Sequence, residues 1–179
     1  YRTVQVIKIF EEVFAQRSDK IIGIMAGGLN SDWGLDMRLR YNWSKTALTH
    51  KDTGIDAISI APYFGNDISA SANLELLEEW AELSEAEGLN NLFDEIWHGG
   101  RLPNSNPEHS PLAQMFNSVE QHMQIAQRAG LAMLAYEGGQ HLVVQHSTNR
   151  TRDDKIRTLF FAANRDPRMG DSYKEIFKQ

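Results

Sequence analysis

Cysteine is absent from the 179 residues. That gap removes a disulfide framework, thiolate catalysis and thiolate metal sites together. It leaves the compartment open, a secreted or periplasmic parent protein included. Long apolar runs are also missing. No stretch of about 18 residues reads as a membrane span, and the start carries no signal-peptide pattern. Basic residues are in the minority, 18 Lys and Arg against 24 Asp and Glu for a formal charge of −6, and they form no dense stretch. Nucleic acid and anionic membranes are therefore poor candidates for partners. With 41% hydrophobic and 23% charged residues, the composition is that of a globular protein rather than a disordered one. The length fits a single domain over 1–179. The chain opens on Tyr1 already in a helical pattern, and Ser172 to Gln179 is helical as well. Both ends read as interior to a longer polypeptide.

What is present alternates. Thr3 to Gln16 places Val6, Phe10, Val13 and Phe14 on one helical face. Ile21 to Ala26 is a short, nearly continuous apolar run, the pattern of a strand covered on both faces. Leu35 to Leu48 is a second helix, with Leu35, Leu39 and Trp43 spaced by four. Ile55 to Ala61 repeats the buried-strand pattern and stops at Pro62-Tyr63-Phe64-Gly65. The longest insertion follows, with a helix over Ala72 to Ala86, a short helix around Leu92 to Trp97 and a loop from Gly99 to Pro111. Leu112, Met115, Phe116, Val119, Met123 and Ala126 trace the clearest amphipathic helix, ended by Gly130. Leu131 to Tyr136 is a third strand. Asp153 to Ala163 is a helix with Ile156, Leu159, Phe160 and Ala163 on its apolar face, and Asp166-Pro167 separates it from a last helix starting near Asp171. This order is that of parallel βαβ units in an α/β protein. A complete small open sheet and part of a closed (β/α) barrel both satisfy it, and ends interior to a longer polypeptide favour the barrel.

In parallel α/β proteins function gathers after the carboxyl ends of strands. Those ends are Gly27-Gly28-Leu29-Asn30, Pro62-Tyr63-Phe64-Gly65 and Glu137-Gly138-Gly139-Gln140-His141. A carboxylate directly after an apolar run sits at a sheet rim, where burial without partners is costly. Two readings of Glu137 stand side by side: a reactive carboxylate, and one bonded to backbone amides in a turn. Gln140 and His141 add donors.

Ala132 to His141 (AMLAYEGGQH), with Asp56 to Gly65 (DAISIAPYFG) upstream, resembles the later half of a clan A glycoside hydrolase-like (β/α)8 barrel. It is most similar to bacterial proteins with a YEGGQ motif, and Asn164 to Met169 (NRDPRM) resembles the same group. The resemblance implies a partial TIM barrel, about strands five to seven with their helices. It further implies Glu137 as the nucleophile of a retaining glycosidase and Tyr63 as a neighbour of that carboxylate. An ionised carboxylate suits attack at an anomeric carbon, and a phenol suits holding its orientation. The glutamate acid/base of such barrels ends strand four, which would precede Tyr1. Without it, hydrolysis by this chain alone is not expected.

Trp33 and Trp97 lie beside strand-end loops and are candidates for stacking on sugar rings; Trp43 and Trp80 sit at core spacing. Asn30, Gln140 and His141 are candidate polar contacts to substrate. His122 reads as a packed histidine. No HExxH or close His/carboxylate set appears, so no metal is assigned, and the lack of GxGxxG or P-loop spacing argues against a phosphate cofactor. The acidic run of Glu75, Glu78, Glu79, Glu82, Glu85 and Glu87 reads as a solvated face. Asp94 and Glu95, near Trp97, are substitute acids or, more simply, helix-surface groups. The expectation is a carbohydrate-active barrel segment without a cofactor, self-associating through exposed sheet edges. Its rivals are a carbohydrate-binding or structural module without catalysis, and a monomeric open-sheet protein with protected edges.

Overall fold

The computed structural model describes residues 2–29, 32–41, 49–103, 105–106, 108–144 and 148–178. The chain is α/β with parallel strands. Its elements run α1 (Arg2–Val13), β1 (Ile24–Ala26), α2 (Asp32–Arg40), β2 (Ala57–Ile60), β3 (Tyr63–Phe64), α3 (Leu74–Glu82), α4 (Glu85–His98), α5 (Pro111–Ala129), β4 (Ala132–Ala135), β5 (Gly139–Gln140), α6 (Arg150–Ala163) and α7 (Pro167–Ile176). They sort into two compact units, Tyr1–Pro62 with Ser118–Gly138, and Tyr63–Asn117 with Gly139–Gln179.

The first unit is built on a parallel sheet of order β1-β2-β4. Its register sets Met25, Ile58 and Met133 on one rung, with Ala26, Ser59 and Leu134 on the next. Before the ladder starts, the Asp56 carboxylate accepts the Gly23 amide at 2.7 Å, which fixes how β1 enters beside β2. Met25 and Ile58 join Val4 and Ile7 of α1, Leu35 and Leu39 of α2 and Ile125 and Ala126 of α5 in one buried cluster, with Met133 packed against it. The three helices therefore cover one face. On the other face Ile24 and Leu134 are exposed, while Ala57 and Ser59 of the central strand are buried. The outer edges of β1 and β4 pair with no further strand among the described residues.

All three anticipated strands form, each trimmed by two or three residues. The helices need more correction. In α1 the core takes Val4 and Ile7, whereas Val6, Phe10, Val13 and Phe14 remain exposed. The stripe with the stronger apolar pattern is not the one the sheet covers. Of the helix anticipated over Leu35 to Leu48, the structure gives Asp32–Arg40; residues 42–48, Trp43 among them, lie outside the described residues. In α5 Leu112, Met115 and Ala126 are buried as anticipated, with His122 and Ile125 joining them, and only Met123 of the anticipated stripe is exposed. His122 is indeed packed: its Nδ1 faces the Ser118 carbonyl oxygen at 2.7 Å. Its Nε2 is buried with no hydrogen-bond partner among the described residues.

In the second unit α3, α4 and α6 pack on one another around Leu77, Leu92, Ile96, Ile156 and Phe160. The helix anticipated across Ala72 to Ala86 is two helices. Leu83 is extended, and Ser84 caps α4 by accepting the Glu87 amide and donating its hydroxyl to the Glu87 carboxylate at 2.6 Å, which restarts the helix. Lys155 of α6 ties to Glu78 and Glu82 of α3, so part of the acidic face is paired rather than merely solvated.

The last helix starts earlier than its apolar pattern implies. Asp166 is its N-cap, accepting the Arg168 amide at 2.9 Å, and Pro167 occupies the first turn, where a missing N–H costs nothing. Arg168 returns a fork to the same carboxylate, reaches Asn90 Oδ1 at 2.7 Å and lies 4.5 Å above the Phe93 ring. One side chain thus fastens α7 to α4. The Arg168 guanidinium holds the Asp166 carboxyl below its ordinary pKa of 3.8. A depressed folded pKa contributes stability that is whole above the ordinary value and lost as pH falls through the folded one. Asp166→Asn keeps a capping oxygen but removes the charge. The variant is expected to be less stable than the parent at pH 7 by about 1 kcal/mol, with the gap narrowing at pH 3, as measured by urea midpoints at both pH values.

Candidate functional site

The motif residues fall into two groups, one in each unit. In the first unit β4 carries the chain to Tyr136, whose amide donates to the Ile60 carbonyl at 3.1 Å. Glu137 follows, exposed to solvent. Gly138 then passes so close to the segment after β2 that a Cβ would stand 2.8 Å from the Pro62 carbonyl oxygen. Only glycine fits there without moving that segment, which explains the residue after Glu137 without any appeal to a ligand. Trp33, in the first turn of α2, is 72% exposed, an unusual state for tryptophan.

In the second unit β3 and β5 form a short parallel ladder with Tyr63 opposite Gly139 and Phe64 opposite Gln140. Both segments lie where the sequence pattern places loops. The His141 amide extends the ladder to the Phe64 carbonyl at 2.8 Å. Tyr63 and His141 meet edge to face with ring centroids 5.4 Å apart, and His141 Nδ1 is buried with no hydrogen-bond partner among the described residues. Gln140 is largely committed to structure: its side-chain oxygen accepts the Leu142 amide at 2.6 Å, and its own amide donates to the Tyr173 hydroxyl at 3.1 Å. The structure thus brings together Tyr63, Gln140 and His141. Glu137 belongs to the first unit and Tyr63 to the second. Asn30 lies outside the described residues.

Trp97 is half-buried near the end of α4. Its neighbours clarify the question of a substitute acid. Glu95 is 2% exposed and accepts the Arg101 and Leu102 amides at 2.7 and 3.2 Å; it is a clamp for the following loop, not a helix-surface group. Asp94 bonds to Arg101 and to His98 Nδ1, and the Arg101 guanidinium, then the His98 ring, hold its carboxyl below the usual aspartate range. An acid held ionised in this way is poorly suited to protonating a leaving group. Among the described residues no group of three or more His, Asp or Glu side chains is placed to hold a metal ion, and no helix is long and apolar enough to cross a membrane.

Tyr173 is the residue that sequence reasoning missed. Its ring packs edge-on against Phe64, and its hydroxyl occupies the space beside Gly139, where a Cβ would come within 2.5 Å. Gly139 also has φ of 124°, so the second glycine of the motif is required twice over, by conformation and by contact. No spacing signal links positions 139 and 173. Tyr173→Phe leaves the Gln140 amide without this acceptor and is expected to cost about 1–3 kcal/mol. Gly139→Ala is expected to cost more, with both read by urea unfolding. Compared with known protein families, with curated proteins and with solved structures, the chain matches none.

Proposed function

We propose that the chain is a later stretch of a (β/α)8 barrel of the glycoside hydrolase type, with Glu137 as nucleophile and an oligo- or polysaccharide as its partner. The observation that carries this reading is Glu137 itself, a solvent-open carboxylate two residues beyond the end of a strand of a parallel sheet. The sheet supports it. Its strands neighbour one another in chain order and its helices share one face, as barrel strands and helices do. A doubly wound sheet reverses its order and carries helices on both faces. Trp33 offers an open ring on which the apolar face of a sugar can lie.

In a retaining reaction the carboxylate attacks the anomeric carbon and forms a glycosyl ester, while the bond to the leaving oxygen breaks. A second carboxyl about 5–5.5 Å away supplies the proton to that oxygen. The described residues following β1, β2 and β4 offer Glu137 and, at the start of α2, Asp32, where a carboxylate also favours the helix amino end. The glutamate that serves as acid in such barrels is not among the described residues after these strands, and ordinary glycosides are expected to be cleaved slowly or not at all.

A substrate whose leaving group needs no proton isolates the first step. Incubation with 2-deoxy-2-fluoro glycosides of dinitrophenol is expected to release dinitrophenolate once per chain and leave the fluorosugar on the peptide containing Glu137, read by mass spectrometry. Glu137→Gln should abolish the label. An unlabelled chain across a panel of such sugars would overturn the nucleophile. The exposure of Trp33 favours one second reading, carbohydrate binding without cleavage. In that case Trp33 fluorescence responds to oligosaccharide, the response is lost in Trp33→Ala, and no label forms.

A further inference from the structure

We infer that α1 is a self-association surface whose occupant is the α1 helix of a second copy, packed across a two-fold axis near Phe10. This does not rest on the reading of Glu137. Val6, Ile9, Phe10, Val13 and Phe14 are each 50–67% exposed, and they recur at the three- and four-residue spacing of a single helical stripe that continues into the turn after α1. Phe10 and Phe14 already touch, with ring centroids 5.9 Å apart. The core is satisfied by Val4 and Ile7 on another side of the same helix, so the stripe has no partner in its own unit.

Area and charge select the occupant. Five such side chains leave roughly 500 Å² of apolar surface, at the upper end of the 300–600 Å² that the largest patch on a monomer shows. Two copies facing each other would remove roughly 1,000 Å², the threshold for a specific though weak interface. A membrane surface is the wrong match. Arg2 and Lys8 are balanced within the helix by Glu11 and Glu12, whereas an interfacial helix carries a basic polar face. A second copy presents the same uncharged stripe, and a two-fold arrangement lets it complement itself. An antiparallel pair also sets the two helix dipoles favourably.

The absence of cysteine makes a clean test possible. The parent protein is expected to show an apparent mass rising from monomer toward dimer between about 5 and 200 μM in sedimentation velocity, as an interface near the lower size limit should. Phe10→Glu should remain monomeric throughout with unchanged far-ultraviolet circular dichroism, and Leu134→Lys, on the open sheet, should dimerise like the parent. Phe10→Cys should form a disulfide-linked dimer under mild oxidation, while Lys8→Cys, on the opposite side of α1, should not. A parent that stays monomeric at the highest concentration would overturn the inference. So would association lost in Leu134→Lys and retained in Phe10→Glu, since that places the contact at the sheet.

Discussion

The first unit depends on the double pairing of one short strand. β2 is buried at all four positions and hydrogen-bonds to a parallel neighbour on each side. Parallel ladders require crossovers, and right-handed crossovers between sequential neighbours send their helices to the same face. Once Ala57 to Ile60 is central, α2 and α5 have one place to go, and α1, which precedes β1, packs with them on that face. The carboxyl ends of the strands then share a rim, and Glu137 reaches that rim because it is the second residue after β4.

The same pairing accounts for what the unit leaves open. A parallel sheet normally has both faces covered, yet Ile24 and Leu134 stand exposed on the face away from the helices, with no charged residue in β1 or β4 to discourage pairing at the edges. Apolar surface persists on α1 as well. An open sheet with guarded edges would carry charges or a covering segment at these positions.

Local patterns in the sequence found the strands and most helices because a buried run or an amphipathic stripe is written in neighbouring residues. Ile156, Leu159, Phe160 and Ala163 do line the buried face of α6, and Gly130 does end α5 with φ of 69°. Failures came where two local signals competed or where the partner was distant. In α1 the stripe of Val6, Phe10 and Val13 outweighs Val4 and Ile7, and only the position of the sheet decides between them. Ser84 and Glu87 do spell a helix cap, and Asp166-Pro167 does spell a helix start, but both were overshadowed by the apolar pattern around them. At the candidate site the Glu-Gly-Gly run was legible as a strand end. The reason for its glycines was not, because the Pro62 carbonyl and the Tyr173 hydroxyl that exclude a Cβ lie far along the chain.

Glu95 has a consequence for how this protein can vary. Its buried carboxylate grips the amides of Arg101 and Leu102, and Ser110, itself buried, receives the Ala113 amide at the start of α5. Between these two anchors Pro103, Asn106, Glu108 and His109 are exposed, while Ser105 accepts the Gly100 amide and the His109 carbonyl accepts the Gln114 side-chain amide. Side-chain replacements at the exposed Pro103, Asn106, Glu108 and His109 are thus the ones least costly to the fold, whereas a change at Glu95 releases the loop from α4.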